Sequence, residues 1–302
     1  MPDHTDHIGR GIMTRVAATL TIAMMAASAK LAHQSGANAV EIIFYRQFFS
    51  LPLIMLWILL GPGIGSLATT RPRAHLTRAM IGITATVAVF MAILMLPLAE
   101  ATAINFVSPL FATLLAALVL REHVGVHRWT AMAIGFVGVL LMTLSAATGD
   151  APVAGIVVAL LAAFLAAAVS ITVRQLGSTE PPTTIVFWFA TFATVATALP
   201  MPWHAQPHEA GTWALLALLG TLGGFTQILM AMSLRFAPVG ATAPFDYIQL
   251  LWATLLGWMI WDMLPDGWTI AGAVLIAGSG LYTFHRERVR RRSVASNSTP
   301  LG

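Results

Sequence analysis

The chain has 302 residues, of which 58% are hydrophobic and 9% charged, and its formal net charge is +4. Soluble globular domains carry about 25% charged residues, so this composition excludes a water-exposed fold. The absence of cysteine excludes disulfides, thiolate metal sites and cysteine nucleophiles, whatever the compartment.

The apolar runs are continuous and about 20 residues long, the length of a helix that crosses the hydrocarbon core. Barrel strands would instead alternate apolar and polar residues. Backbone in lipid must satisfy its own hydrogen bonds, which leaves helices. Charges, Pro and Gly delimit ten predicted spans in chain order: 12–32, 40–60, 76–95, 100–120, 129–147, 153–173, 183–200, 212–234, 238–260 and 268–285. The expected fold is an all-α membrane protein with ten transmembrane helices. Residues 1–11 form a cytoplasmic N-terminal segment, and 286–302 a basic cytoplasmic tail expected to be disordered. Arg10, Arg15, an apolar run and Ala27-Ser28-Ala29 also resemble a cleavable signal peptide. Cleavage there would leave nine spans and break the patterns that follow.

With the N-terminus in the cytoplasm, 14 of the 16 basic residues fall at cytoplasmic ends, and the other two, Lys30 and Arg46, lie within the first two spans. The outer loops hold Asp150, Glu209, Asp262 and Asp266 but no Lys or Arg. The positive-inside rule therefore puts both termini on the cytoplasmic side of an inner membrane. It also explains the basic charge without any nucleic acid. The cluster from Arg286 to Arg292 suits anionic lipid of the bilayer.

At an offset of 140 residues, Ala101-Thr102-Ala103 falls on Ala241-Thr242-Ala243, Leu110 on Leu250, Leu115 on Leu255, Glu122 on Asp262, Ala131 on Ala271, Ala133 on Ala273 and Gly138 on Gly278. Two repeats are expected, 12–147 and 153–285, each of five spans. An odd number turns the second repeat upside down. Inverted repeats let two related halves exchange inward-open and outward-open shapes around one central site, as in many secondary transporters.

Several motifs resemble the drug/metabolite transporter superfamily, and within it the ten-span EamA-type carriers. They are Glu41-Ile42-Ile43-Phe44-Tyr45-Arg46, Leu96-Pro97-Leu98-Ala99-Glu100-Ala101-Thr102-Ala103, Ser108-Pro109-Leu110-Phe111, Glu122 followed by Arg128-Trp129, and Ala243-Pro244-Phe245-Asp246-Tyr247. The resemblance spans about residues 12–285. It is greatest to the branch that includes S-adenosylmethionine uptake carriers, into which Lys30 also fits, although Asp246 stands where that branch has a basic residue. Riboflavin uptake and amino-acid export also occur among such carriers.

Asp246 is the leading candidate for substrate binding or coupling. It lies about eight residues into the ninth span, two after Pro244, and an isolated acid there costs at least ~2.5–3.5 kcal/mol. A proline frees a backbone carbonyl, so Pro244 and Pro109 are candidate helix breaks. The alternative is a structural acid, paired with a basic residue or kept protonated. Lys30 and Arg46 either line an outer vestibule or snorkel to the interface, and Glu41 could partner Arg46 about one turn away. Lys30 and Asp246 differ in depth by roughly 15 Å, too far to pair. Asn105, Gln227, Gln249 and Tyr247 are expected to face the bundle interior, as helix-to-helix bonds or substrate contacts. Trp188 and Trp252 are expected near mid-membrane, whereas Trp129, Trp213, Trp261 and Trp268 suit the interfacial belts. Gly220 and Gly224 form a helix-packing pair rather than a phosphate loop. His204 and His208 have metal-like spacing, but Pro207 between them disfavours a site, so no metal is expected.

A secondary transporter of a small organic metabolite fits these features, the solute being amino-acid-like, S-adenosylmethionine-like or otherwise amphipathic. Vitamin uptake by the same route is an alternative. An intramembrane enzyme would need a nucleophile–base pair or metal ligands that the sequence lacks, and a scaffold would not need Asp246. No cofactor or nucleotide motif is read. Proton coupling through Asp246 and a homodimer both fit.

Overall fold

The computed structural model describes residues 4–119, 126–147, 152–237 and 239–297, and among them the chain is helical, without a strand. Glu122, His123 and Asp150 lie outside the described residues. The helices are α1 (His4–Gln34), α2 (Ala39–Leu60), α3 (Pro72–Met95), α4 (Leu98–Asn105), α5 (Ser108–Val119), α6 (Val126–Ala147), α7 (Val153–Leu176), α8 (Pro182–Ala198), α9 (Met201–His204), α10 (Ala210–Phe236), α11 (Val239–Thr242), α12 (Ile248–Trp261) and α13 (Gly267–Asn297). Two 3₁₀ turns, Ile64–Leu67 and Ala243–Tyr247, precede α3 and α12. We call the end of the bundle with the 35–38 turn distal and the end with the 61–71 connection proximal.

Among the described residues, six segments are long and apolar enough to cross a membrane: Ile8–Gln34, Ala39–Leu60, Pro72–Met95, Leu98–Leu115, Val153–Leu176 and Ala210–Phe236. Trp129–Met142, Pro182–Ala198 and Gly267–Tyr282 are shorter apolar helices. The exterior is apolar: Leu60, Met80, Val157, Leu251 and Val274 each expose more than half their surface. In water such a surface would drive association, whereas acyl chains solvate it.

The interior is built from small residues. On α1, Ala18, Ala23, Ala26, Ala27, Ala29 and Ala32 are buried. Lipid tails are as apolar as leucine, so helices associate by close packing and hydrogen bonds rather than by escape from water. α1 packs along α10, α3 along α7, α6 along α13, and α2 against both α10 and α8. Between α1 and α10 the hydroxyls of Thr21 and Thr226 lie 2.8 Å apart, and Ser233 Oγ donates to the Gly11 carbonyl at 2.9 Å.

The glycine pair at 220 and 224 lies on the face of α10 turned to α2. A Cβ at Gly220 would stand 2.5 Å from both the Tyr45 carbonyl oxygen and Phe49 Cβ, and one at Gly224 3.0 Å from Leu53 Cδ2. The obstacle at 220 is backbone, which cannot turn aside.

The C-terminal end differs from expectation. α13 continues through Asn297, so 286–297 is helical rather than disordered, and α1 begins at His4 rather than near 12. Arg and Glu are good helix formers, and a helix already nucleated in the membrane extends at one hydrogen bond per residue.

Gly220→Val should lower the stability of the purified protein by about 1–3 kcal/mol, read as a lower melting temperature in detergent. Gly211→Ala, where a Cβ meets nothing within 4 Å, should leave it unchanged.

Candidate functional site

Two of the expected spans are broken, the fourth and the ninth. α4 stops at Asn105, Phe106 and Val107 form a turn, and α5 resumes at Ser108. The other segment changes to 3₁₀ geometry over Ala243–Tyr247, with Pro244 at its start. The offset of 140 that aligns the repeats puts Phe106 and Val107 on Asp246 and Tyr247. These related breaks meet: the Phe106 and Tyr247 rings lie 4.7 Å apart, tilted by 32°. Together with Pro109, Pro244, Asp246 and Gly280 they line a cavity of about 140 Å³. A Cβ at Gly280 would collide with the Tyr247 hydroxyl, so only glycine leaves room for that ring.

Asp246 is not alone there. Arg15, from the proximal part of α1, grips it with two parallel hydrogen bonds, Nε to Oδ1 and Nη2 to Oδ2, the latter at 2.6 Å. The side chains are 13% and 28% exposed. A planar guanidinium matches a carboxylate in this bidentate manner, which makes the pair stronger and more directional than a single contact. Sequence charge counting assigned Arg15 to a cytoplasmic end, where nothing local shows that it turns inward.

Lys30 lies fifteen residues further along α1, about 22 Å away. Its Nζ donates to the Leu96 carbonyl at 2.8 Å and sits 5.5 Å from the centre of the Trp261 ring. Trp261 is itself oriented by Nε1 donating to Gln34 Oε1 at 2.8 Å. Lys30 and Trp261 line a distal cavity of about 490 Å³ with Glu100, Asp262 and Asp266. A cation, an aromatic face and three carboxylates thus share one opening.

The other candidates are dispersed. Arg46 Nη1 donates to Gln47 Oε1 at 2.9 Å and its guanidinium lies over Phe90 at 5.5 Å, while Nε is buried without a partner. Asn105 Oδ1 and Trp252 Nε1 are likewise buried and unpartnered; such atoms are rare and are natural places for a bound solute or water. Gln227 and Gln249 are half-buried in α10 and α12.

Three expectations are corrected. Glu41 does not partner Arg46, because five residues along a helix place the two on different faces. Its carboxylate accepts from the Asn38 N–H at 3.0 Å, the Gln206 N–H at 2.9 Å and His208 Nε2 at 2.8 Å, and it is fully buried. His208 is accordingly 4% exposed rather than lying open in a loop, and His204 turns instead to the Pro200 carbonyl. Trp188 is not at mid-depth: its Nε1 donates to the Leu67 carbonyl at 3.0 Å, which ties it to the proximal connection. Beside it lies a pair that sequence reasoning missed, His75 and Glu180, 105 positions apart in the chain and with Nε2 and Oε2 separated by 3.9 Å. Neither residue has a local motif, so only the fold could join them.

Asp246→Asn and Arg15→Gln should each destabilise the protein by about 1–3 kcal/mol, since each strands a partly buried partner. The double variant should recover part of that loss. Equal and additive losses in a denaturation series would show that the two groups are uncoupled.

Comparison with known proteins agrees with this architecture. A solved crystal structure of 18% identity superposes with a TM-score of 0.62, covering 93% of this chain and 97% of the other, so the two share a fold. The pseudopaline exporter CntI of Pseudomonas aeruginosa is 29% identical over 273 residues, covering 90% of this chain and 94% of that one. The S-adenosylmethionine uptake transporter of Rickettsia prowazekii is 28% identical over 253 residues, covering 83% and 84%. The riboflavin transporter of Rhizobium johnstonii is 31% identical over 270 residues, covering 88% and 86%. The model of the EamA-like transporter family matches twice, at residues 9–144 and 153–284. The chain therefore belongs to the EamA-like transporter family and is a multi-pass membrane transporter of small molecules.

Proposed function

We propose that this transporter is a secondary carrier of ten spans in an inner membrane, with both termini cytoplasmic. Its two inverted five-helix halves, 12–147 and 153–285, move an amphipathic organic metabolite by alternating access. The observation that carries this reading is the meeting of two broken helices at related positions of the two repeats, because interrupted segments in corresponding places mark transporter binding sites. Helix packing supports it further. Exchange of the halves turns the α1–α10 contact into α7–α3 and the α2–α10 contact into α8–α3. It turns α1–α12 into α7–α5 and maps α2–α8 and α6–α13 onto themselves, and all of these contacts exist. That is the pattern of an internal two-fold axis.

The distal cavity favours a solute with charges of both signs. Lys30 suits a carboxylate, Trp261 an apolar or cationic body, and Glu100, Asp262 and Asp266 an amine. An amino-acid-like or S-adenosylmethionine-like compound has these parts, consistent with relatives named as an S-adenosylmethionine uptake transporter and a pseudopaline exporter. On this reading the solute enters beside Lys30 and reaches the breaks, where Asp246 and Tyr247 bind or couple it. Arg15 occupies both Asp246 oxygens until a solute cation or a proton takes its place.

The test is uptake of labelled S-adenosylmethionine and amino acids by purified protein in liposomes, with and without a proton gradient. Wild-type protein should accumulate at least one of them. Asp246→Asn should insert normally and lose about ten-fold or more of that flux, or lose its proton dependence. Unchanged flux with unchanged proton dependence would remove Asp246 from the mechanism.

A further inference from the structure

The buried glutamate–histidine pairs described above are related to each other. Glu41 opens α2 and Glu180 stands just before α8, at an offset of 139 residues. His75 lies in the first turn of α3 and His208 just before α10, at an offset of 133. Both offsets are close to the 140 that aligns the repeats. Each pair therefore joins the start of the second helix of one half to the start of the third helix of the other. Glu41–His208 crosses at the distal end and His75–Glu180 at the proximal end.

Both pairs cover apolar packing. Beneath Glu41 and His208 lie Ala29, Ile42, Phe90, Leu216 and Leu219. Ala79, one turn beyond His75 on α3, packs there with Phe189. The two ends differ in closure. The distal pair is bonded at 2.8 Å and reinforced by backbone N–H groups from both sides. The proximal pair stands 3.9 Å apart, and both nitrogens of His75 are buried without a hydrogen-bond partner, while Glu180 is held by Thr69 at 2.8 Å.

We infer that these two pairs are matched latches, one at each membrane face, which bind the halves together in alternation as the carrier changes sides. The inference rests on the inverted-repeat reading proposed above. When one half rocks against the other around a central site, contacts between halves at one face must break while their counterparts form. A buried, charge-assisted bond suits the task, since it is strong when made and leaves a costly unpaired group when broken, so intermediate geometries are disfavoured. One latch hydrogen-bonded and its relative loosened to a 3.9 Å ion-pair contact is an arrangement such a cycle passes through. These four side chains are positioning residues. They need not touch the solute.

The cysteine-free sequence gives a direct test, because any introduced thiol is the sole one. Ala29→Cys and Ala79→Cys, both at positions with no exposed surface, report access beneath the distal and proximal latches respectively. The full chain is placed in sealed vesicles of known orientation and treated with a membrane-impermeant maleimide. Glu41→Gln should raise distal-side labelling of Ala29→Cys about ten-fold or more and leave Ala79→Cys unchanged or slower. Glu180→Gln should do the reverse. Simultaneous rise of both reporters in either variant means general loosening, and it overturns the inference, as does no change in either. Should Glu41→Gln fail to insert, a disulfide between Glu41→Cys and His208→Cys closes the distal latch. It should speed proximal labelling of Ala79→Cys, with reversal on reduction, and an unaltered rate overturns the inference. Labelling of Arg73→Cys and Gln206→Cys keeps the two readings separate. If they react from the same face the inverted topology fails. If they react from opposite faces while the reporters stay silent, the latches alone fail.

Discussion

No water reaches the hydrocarbon core to satisfy a bare backbone, and the architecture follows from that constraint. A helix that breaks in lipid exposes carbonyl and amide groups with no partner, at a cost of several kcal/mol each. Breaks can persist only where protein surrounds them. The turn at Phe106 and Val107 and the 3₁₀ segment Ala243–Tyr247 meet that condition by facing one another across the bundle. Each interruption shields the other, and the Phe106 and Tyr247 rings lie 4.7 Å apart across the junction. Irregular backbone and a partly buried carboxylate can then lie within an apolar protein.

Small residues make the enclosure possible. Alanines on α1 and the glycines at 220 and 224 bring helix backbones close enough that little space remains between them. Cavities nonetheless remain at the breaks and beside Lys30. A protein with bulky residues at these positions would fill with side chains and hold its helices apart. The polar groups that survive within it, such as Arg46 Nε, Asn105 Oδ1 and Trp252 Nε1, lack partners in the protein and so stand ready for something that brings its own.

Length, hydropathy and the spacing of charges made the helical membrane architecture legible, because each span must be long and apolar whatever its neighbours are. The family model matches twice, at residues 9–144 and 153–284, and Ala101-Thr102-Ala103 and Ala241-Thr242-Ala243 carry the same local pattern within those matches. Asp246 stood out as an acid in the wrong solvent. Its partner did not, because Arg15 lies 231 positions away and resembles any basic residue at a membrane edge. The same limit hid His75 and Glu180. It also misdirected Glu41 toward Arg46: the nearest basic residue in sequence faces elsewhere, while His208 arrives from a distant loop. Trp188 was misplaced in depth for a related reason, as its helix position says nothing about the Leu67 carbonyl that its indole reaches. Local periodicity fixes where a residue sits on its own helix, whereas a partner's identity depends on how helices assemble.

The grip of Arg15 on Asp246 has an electrical consequence. Both carboxylate oxygens are occupied by one guanidinium, so the pair is neutral as a unit and a membrane voltage exerts little net force on it. Any positive species that takes Arg15's place restores that neutrality but leaves the guanidinium uncompensated in a poorly conducting medium. The displaced arginine then needs an anion of its own, or must swing toward the lipid headgroups. A zwitterion, carrying both signs at once, can answer both groups together without building up charge inside the bilayer.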